Sequence, residues 1–221
     1  MNRRTMKCVV TAGPTYETMD NVRRLTNFST GQLGTELANF LSQRGHEVLL
    51  LIGEQSTFHG ERKAQRVQHF STTANLRDQL QALSRDSIQA VFHAAAVSDF
   101  MFGKIWSRST AGELTEVKSG KMSTREGTLL AELVPTPKII AGLRAMFPEA
   151  QLVGWKYEVD GNRADVLRAA EKQIRECRTN ACVANGAAYG EGFGLVAADG
   201  KHLHVADKPT LFEVLATVTE I

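Results

Sequence analysis

Apolar residues run along the chain in blocks whose spacing changes from one to the next. "KCVVTAG" (7–13) is nearly continuous, as in a strand buried on both faces of a sheet. From Leu33 the spacing turns helical: Leu33, Leu37, Ala38, Phe40 and Leu41 share a face, and Gly45 in "RGHE" offers a stop. "EVLLLIG" (47–53) predicts a second strand and "RVQHFS" (66–71) a shorter, alternating third. "TTANLRDQLQAL" predicts a helix capped by Thr72 or Thr73, and "IQAVFHAAAV" (88–97) a fourth strand. The order β-α-β-β-α-β predicts a mostly parallel sheet with right-handed crossovers.

The middle of the chain reads differently. "ELTEV" and "TLLAELV" are strand-like pieces around a polar Gly/Ser/Lys-rich segment, which predicts a hairpin or flap excursion with a mobile tip. "TPKIIAGLRAMF" predicts a helix with Thr136 as cap and Pro137 at its first position. "AQLVGWKYEV" is a strand, "NRADVLRAAEKQIREC" a helix with Val166, Leu167, Ala170 and Ile174 on one face, and "ACVAN" a short buried strand. "FGLVAADGKHLHVA" predicts a hairpin turning at Asp199-Gly200, and "KPTLFEVLATVTEI" a closing helix. The pattern predicts an α/β fold of three layers around a mostly parallel sheet.

Composition narrows this little. The chain has 221 residues, 43% hydrophobic and 23% charged, and no Pro/Gly/Ser-rich linker divides it, so one domain over 1–221 is expected. Its net charge of +2 comes from Lys and Arg scattered among acids, which does not suggest nucleic acid as a partner. No run approaches the roughly 18 apolar residues of a membrane span. "MNRRTMKCVV" enters "TAGPT" without a cleavage pattern and reads as a first strand, not a signal peptide. The three cysteines form no C-x-x-C or Cys/His pattern, which fits free thiols in a reducing cytoplasm.

Ligand groups in such a sheet belong at strand C-terminal ends, here "TAGPT", "LIGEQ" and "AAAVSDF". Gly13 ends the first strand, and Ser29, Thr30, Gly31 and Gly34 surround the next helix start, where backbone N–H groups and hydroxyls bind anions. A plain helix cap explains these residues equally well. Arg23 and Asn27 are four apart, so a helical turn would place them on one face. Ala94, Ala95 and Ala96 are small enough for a flat group to lie against backbone. Asp99 beyond them would hold a ribose hydroxyl, a base or a magnesium ion, or simply cap its own turn. Lys118 and Lys121 in "KSGKMST" suit a flap closing over phosphates, or a solvated charge pair. Trp155 flanks a base or belongs to the core. His202 and His204 alternate on one strand face with no third metal ligand evident, and read as exposed. No Ser-His-Asp or Cys-His pairing follows from the spacing.

Taken in order, "TAGPTYETMDNVRRLTNFSTGQLG", "HAAAVSDF", "GKMST", "LVPTPKII", "VGWKYEVDG" and "VAN" resemble the phosphopantothenate–cysteine ligase family, in its free-standing bacterial form without the flavin-binding decarboxylase domain. The resemblance implies a homodimer with a modified Rossmann-like fold. It also implies a reaction with 4′-phosphopantothenate, cysteine, magnesium and CTP (or ATP) in coenzyme A biosynthesis, and no flavin. The phosphopantothenate carboxylate attacks the α-phosphate, pyrophosphate leaves, and cysteine displaces CMP from the acyl-cytidylate. Carried over by position, Asn27 handles the acyl intermediate, Arg23 accompanies that step and Lys121 meets the phosphates. Gly13, Ser29, Gly31, Ala95, Ala96, Asp99, Trp155 and Asn185 lie on the nucleotide side. The family pattern names no metal ligand that can be placed here.

Four departures stand out: Phe28 where the family often has His, Phe100 where it often has Tyr, Gly186 where "AND" is usual, and no clear match for a lysine ahead of that strand. Two other readings stay open: a relative that binds nucleotide without turnover, and a nicotinamide-dependent reductase. The reductase would use Glu54 as its ribose acid but lacks G-x-G-x-x-G after the first strand.

Overall fold

The computed structural model describes residues 5–123 and 127–218. Continuous apolar runs become the centre of the sheet. Strands β1 (Lys7–Ala12), β4 (Glu47–Gly53), β5 (Arg66–Phe70), β6 (Ala90–His93), β10 (Gln151–Tyr157) and β11 (Ala181–Asn185) are parallel. β12 (Phe193–Ala197) and β13 (His202–Val205) extend one edge antiparallel. The spatial order is β13-β12-β11-β10-β6-β1-β4-β5. Counting parallel strands alone, that is 3-2-1-4-5-6, the doubly wound order whose switch point lies between β1 and β6.

Helices α1 (Gln32–Gln43) and α5 (Lys208–Val218) cover one face; α2 (Thr73–Ala82), α3 (Ile139–Met146) and α4 (Arg163–Cys177) cover the other. Alternate residues of each strand serve the two layers: Val10 and Ala12 pack with Leu37 and Leu41 of α1, while Val9 packs with Leu76 and Leu80 of α2. Local chemistry sets the helix starts. Thr72 accepts the Asn75 N–H, as expected, and Asn162 with Asp165 forms a reciprocal capping box on α4. The Asp199-Gly200 turn joins β12 to β13, with Gly200 at φ 83°.

Three sequence expectations need correction. No helical turn carries Arg23 and Asn27; β2 (Tyr16–Thr18) and β3 (Arg24–Thr26) form an antiparallel hairpin instead. The Asp20 carboxylate takes the Val22 and Arg23 N–H groups, which tightens the turn and withholds the chain from helix. The fourth strand ends at His93, and Ala94–Val97 form a loop. Helix α3 begins at Ile139 with no side-chain cap, because Thr136 donates its hydroxyl to the Ser98 carbonyl.

The middle excursion is a three-stranded antiparallel sheet. β7 (Phe100–Arg108) pairs with both β8 (Leu114–Glu116) and β9 (Thr128–Pro135). Its central strand is obscure in sequence because a register shift between Phe102 and Ile105 breaks the alternation of apolar positions. Of the expected mobile tip, residues 124–126 lie outside the described residues.

Candidate functional site at the switch point

The ends of β1 and β6 are stitched together at the switch point. Ala96 donates its N–H to the Gly13 carbonyl (3.0 Å), and the Ala96 carbonyl accepts the Thr15 N–H (3.1 Å). The same carbonyl accepts Asn27 Nδ2 at 3.0 Å. Thr26 Oγ1 donates to the Thr15 carbonyl (2.9 Å) and Thr15 Oγ1 accepts the Ser98 N–H (2.8 Å). Asn27 and the "HAAAVSDF" loop, two distant sequence motifs, thus share one small region.

Helix α1 points its N-terminus at this region. Gly31 precedes it at φ 80° and offers no side chain as a cap; Thr30 Oγ1 accepts the Gln32 N–H (3.2 Å), and the N–H groups that follow in the first turn are left for an anion. Gly31 and Gly13 (φ 78°) both lie against Ser56: a β-carbon on Gly13 would overlap Ser56 Oγ, and one on Gly31 would come within 2.7 Å of it. Ser56 Oγ itself is buried with no partner. Ser56 follows the flagged "LIGEQ" strand end, yet nothing in the sequence ties it to the glycines. Gly34, in the first turn, lets α1 approach β1 at Ala12.

On the opposite face of the sheet, a cavity of about 180 Å³ opens at the strand ends. Ala95 and Asp99 line it, as do His93, Lys138, Lys156 and Gln173. His93 is buried, with Nδ1 2.9 Å from Thr11 Oγ1, and that hydroxyl oxygen accepts the Ala95 N–H at 3.1 Å. With one proton of its own to give, Thr11 satisfies the network by donating to Nδ1, which places the ring proton on Nε2. Burial pushes the His93 pKa down to about 4, so the ring is neutral at physiological pH. In the sequence His93 reads as one more residue of an apolar strand, with no local signal of its role.

Trp155 borders the cavity, but its indole packs with the α1/α5 core. Its Nε1 and Asn185 Oδ1 are both buried without partners. Gly186, at φ 116°, has no room for a side chain, since a β-carbon would overlap the Glu158 carbonyl. The backbone therefore accounts for "ANG" in place of "AND".

The flap residues dock elsewhere. The Asn21 N–H reaches the Gly120 carbonyl (2.9 Å), Met122 N–H reaches Asp20 Oδ2 (3.2 Å), and Arg23 donates through Nη1 and Nη2 to the Met122 carbonyl. Arg23 also pairs with Asp20 at 2.5 Å. Arg23 and Lys121 are therefore neighbours, whereas Arg23 and Asn27 stand at opposite ends of β3, about 13 Å of extended chain apart. Lys118 pairs loosely with Glu116 at 3.9 Å. Phe28 is fully exposed beside Asn27. His202 meets Glu171 and His204 meets the Tyr189 hydroxyl, and among the described residues no group of three His, Cys, Asp or Glu gathers to hold a metal. No described helix is long and apolar enough to cross a membrane.

A family model described as "DNA/pantothenate metabolism flavoprotein C-terminal domain" matches residues 4–210. The chain is 31% identical over 183 residues to the coenzyme A biosynthesis bifunctional protein CoaBC of Thermococcus kodakarensis, covering 81% of this chain and 41% of that protein. It is 29% identical over 220 residues to the protein of the same name from Bacillus subtilis, covering 96% of this chain and 51% of the relative. The chain thus spans about half the length of these relatives. Its fold matches the crystal structure of the DNA/pantothenate metabolism flavoprotein from Streptococcus pneumoniae with a TM-score of 0.84 at 24% identity, covering 98% of this chain and 99% of the other.

Proposed function

We propose, from the premise that this chain belongs to the DNA/pantothenate metabolism flavoprotein C-terminal domain family, that it joins 4′-phosphopantothenate to cysteine using CTP or ATP. The observation that carries this reading is the Asn27–Ala96 hydrogen bond, which joins the phosphate-loop motif to the "HAAAVSDF" motif at the switch point. The names of the coenzyme A biosynthesis relatives support the same class of reaction.

The chemistry asks for what the site offers. A carboxylate oxygen attacks the α-phosphorus of the nucleotide, a P–O bond forms and pyrophosphate leaves. The cysteine amine then attacks the acyl carbon, an amide bond forms and the nucleoside monophosphate leaves. Both partners in the first step are anions, so catalysis rests on positive charge, oriented amides and proximity, with no protein nucleophile. In this reading the open N-terminus of α1, with Gly13, Ser29 and Gly31, receives phosphate oxygens, and Lys121 with Arg23 supplies charge from the flap side. Asn27, anchored by Ala96, orients the acyl group, and Ala95, Ala96, Asp99, Trp155 and Asn185 form the nucleoside side. A magnesium ion carried on the triphosphate requires few protein carboxylates, which fits a site where Asp99 is the only cavity-lining acid among the described residues. Such an ion would offset phosphate charge. A homodimer of one synthetase-like domain per chain, in the cytoplasm, completes the proposal.

The test is pyrophosphate release from phosphopantothenate, cysteine, magnesium and CTP or ATP. Turnover with one of them is expected; folded protein inert with both would overturn the reading. Asn27→Asp is expected to form the acyl-nucleotidylate yet fail to pass it to cysteine. Loss of nucleotide binding in that variant would contradict the role given to Asn27.

A further inference from the structure

The Asp20 carboxylate is almost wholly buried, with its side chain 1% exposed, although it lies in a surface turn. Its two oxygens do different work. Oδ1 accepts the backbone N–H groups of Val22 (2.9 Å) and Arg23 (2.7 Å), which shape the β2–β3 turn. Oδ2 accepts Arg23 Nη1 (2.5 Å) and the Met122 N–H (3.2 Å), which belongs to the flap. Arg23 then closes the circuit by donating to the Met122 carbonyl, and Asn21 holds the Gly120 carbonyl. Lys121 lies between these two anchored residues and has no ion-pair partner among the described residues.

We infer that Asp20 is a positioning residue for the ligase reaction: through Oδ2 it fixes the flap segment 120–122, and so sets where Lys121 is held relative to Arg23. The inference rests on the proposed function, because Lys121 and Arg23 matter as phosphate and acyl-step cations only in that reading. One feature argues for positioning over simple fold maintenance. The flap could close on the hairpin through the Asn21–Gly120 hydrogen bond alone, so a buried carboxylate is more than docking needs.

The division of labour between the oxygens gives a clean test. Asp20→Asn keeps an oxygen for the turn N–H groups but presents an amide to Arg23 and Met122, so the flap contact is lost while the turn survives. Asp20→Ala removes both. Amide hydrogen exchange over residues 118–123 should rise roughly tenfold in the Asn variant, with global stability near wild type, since a hydrogen bond to a charged acceptor is lost locally. The KM for the nucleoside triphosphate should rise by a similar factor with kcat less affected, and Lys121→Ala should reproduce that rise. Combining Lys121→Ala with Asp20→Asn should add little, because both break the same contribution. Unchanged flap exchange in Asp20→Asn, or effects that multiply in the double variant, would overturn the inference. If the wild type shows no ligase turnover, the functional reading fails instead, and the exchange measurement still decides whether Asp20 holds the flap. Should Asp20→Ala fail to fold, the Asn variant carries the test.

Discussion

Gly34→Ala offers a sharp test of how the phosphate end of the site is built. Alanine is the better helix former by about 1 kcal/mol, so on propensity alone the change would stabilise α1. The structure opposes it: an added β-carbon would lie 2.6 Å from Ala12 Cβ, 3.1 Å from the Thr11 carbonyl oxygen and 3.2 Å from Ala12 Cα. Carbon atoms pack at about 3.5–4.0 Å, so the first turn of α1 must lift from β1 by roughly 1 Å. None of the three obstacles is a flexible side-chain end that could swing away. Overpacking of this kind costs about 1–3 kcal/mol, leaving a net loss of roughly 1 kcal/mol after the propensity gain. The larger consequence is displacement of Gly31 and Ser29, since an error of about 1 Å at a reacting site costs on the order of 100-fold in rate. Gly142 in α3 is the control: a β-carbon there meets only Met146 Cε at 3.5 Å, so Gly142→Ala is expected to stabilise by about 0.5–1 kcal/mol. Urea unfolding and nucleotide calorimetry on both variants provide the assay. A Gly34→Ala protein as stable as Gly142→Ala, with undiminished nucleotide binding, would refute the close-packing argument.

Two further outcomes follow from buried groups. His93 is held neutral because its folded pKa, about 4, lies below the ordinary value of 6.5. The unfolded chain therefore binds the extra proton first: His93 costs no stability above about pH 6.5, and up to roughly 3 kcal/mol is lost as pH falls from there towards 4. A ring titration by NMR should show no His93 midpoint near 6.5, and finding one would remove the neutral-donor assignment. Cys8 and Cys182 are pushed up to about 12 by burial and Cys177 is also raised, all three being buried, so Ellman's reagent should find no fast-reacting thiol until the protein is unfolded. Rapid stoichiometric labelling of the native protein would contradict this.

Periodicity alone located the parallel strands and the crossover helices. The reason is that β1 and β4 are buried on both faces and α1 and α4 each bury one stripe, and such burial leaves a local mark in the sequence. Residue type and position singled out Asn27, Asp99 and Lys121, and the family resemblance gave each a role. The β2–β3 hairpin is not legible in the sequence, because the i, i+4 spacing of Arg23 and Asn27 says nothing of Asp20, whose carboxylate decides the turn. Thr136 looks like a helix cap in the sequence, but its hydroxyl has a partner 38 residues away, at Ser98, that outcompetes the local helix start.

The sequence by itself determined the layers, the parallel sheet and the strand ends where ligands gather, since those depend on which positions are apolar and at what interval. Only the tertiary structure decided which groups meet there. It placed Asn27 on the Ala96 carbonyl, Ser56 between Gly13 and Gly31, Thr11 on His93, and Asp20 on the flap at Met122. Most of these contacts link residues 40 or more positions apart through single directional hydrogen bonds, and a directional bond between distant residues leaves no period in the chain for a sequence to display.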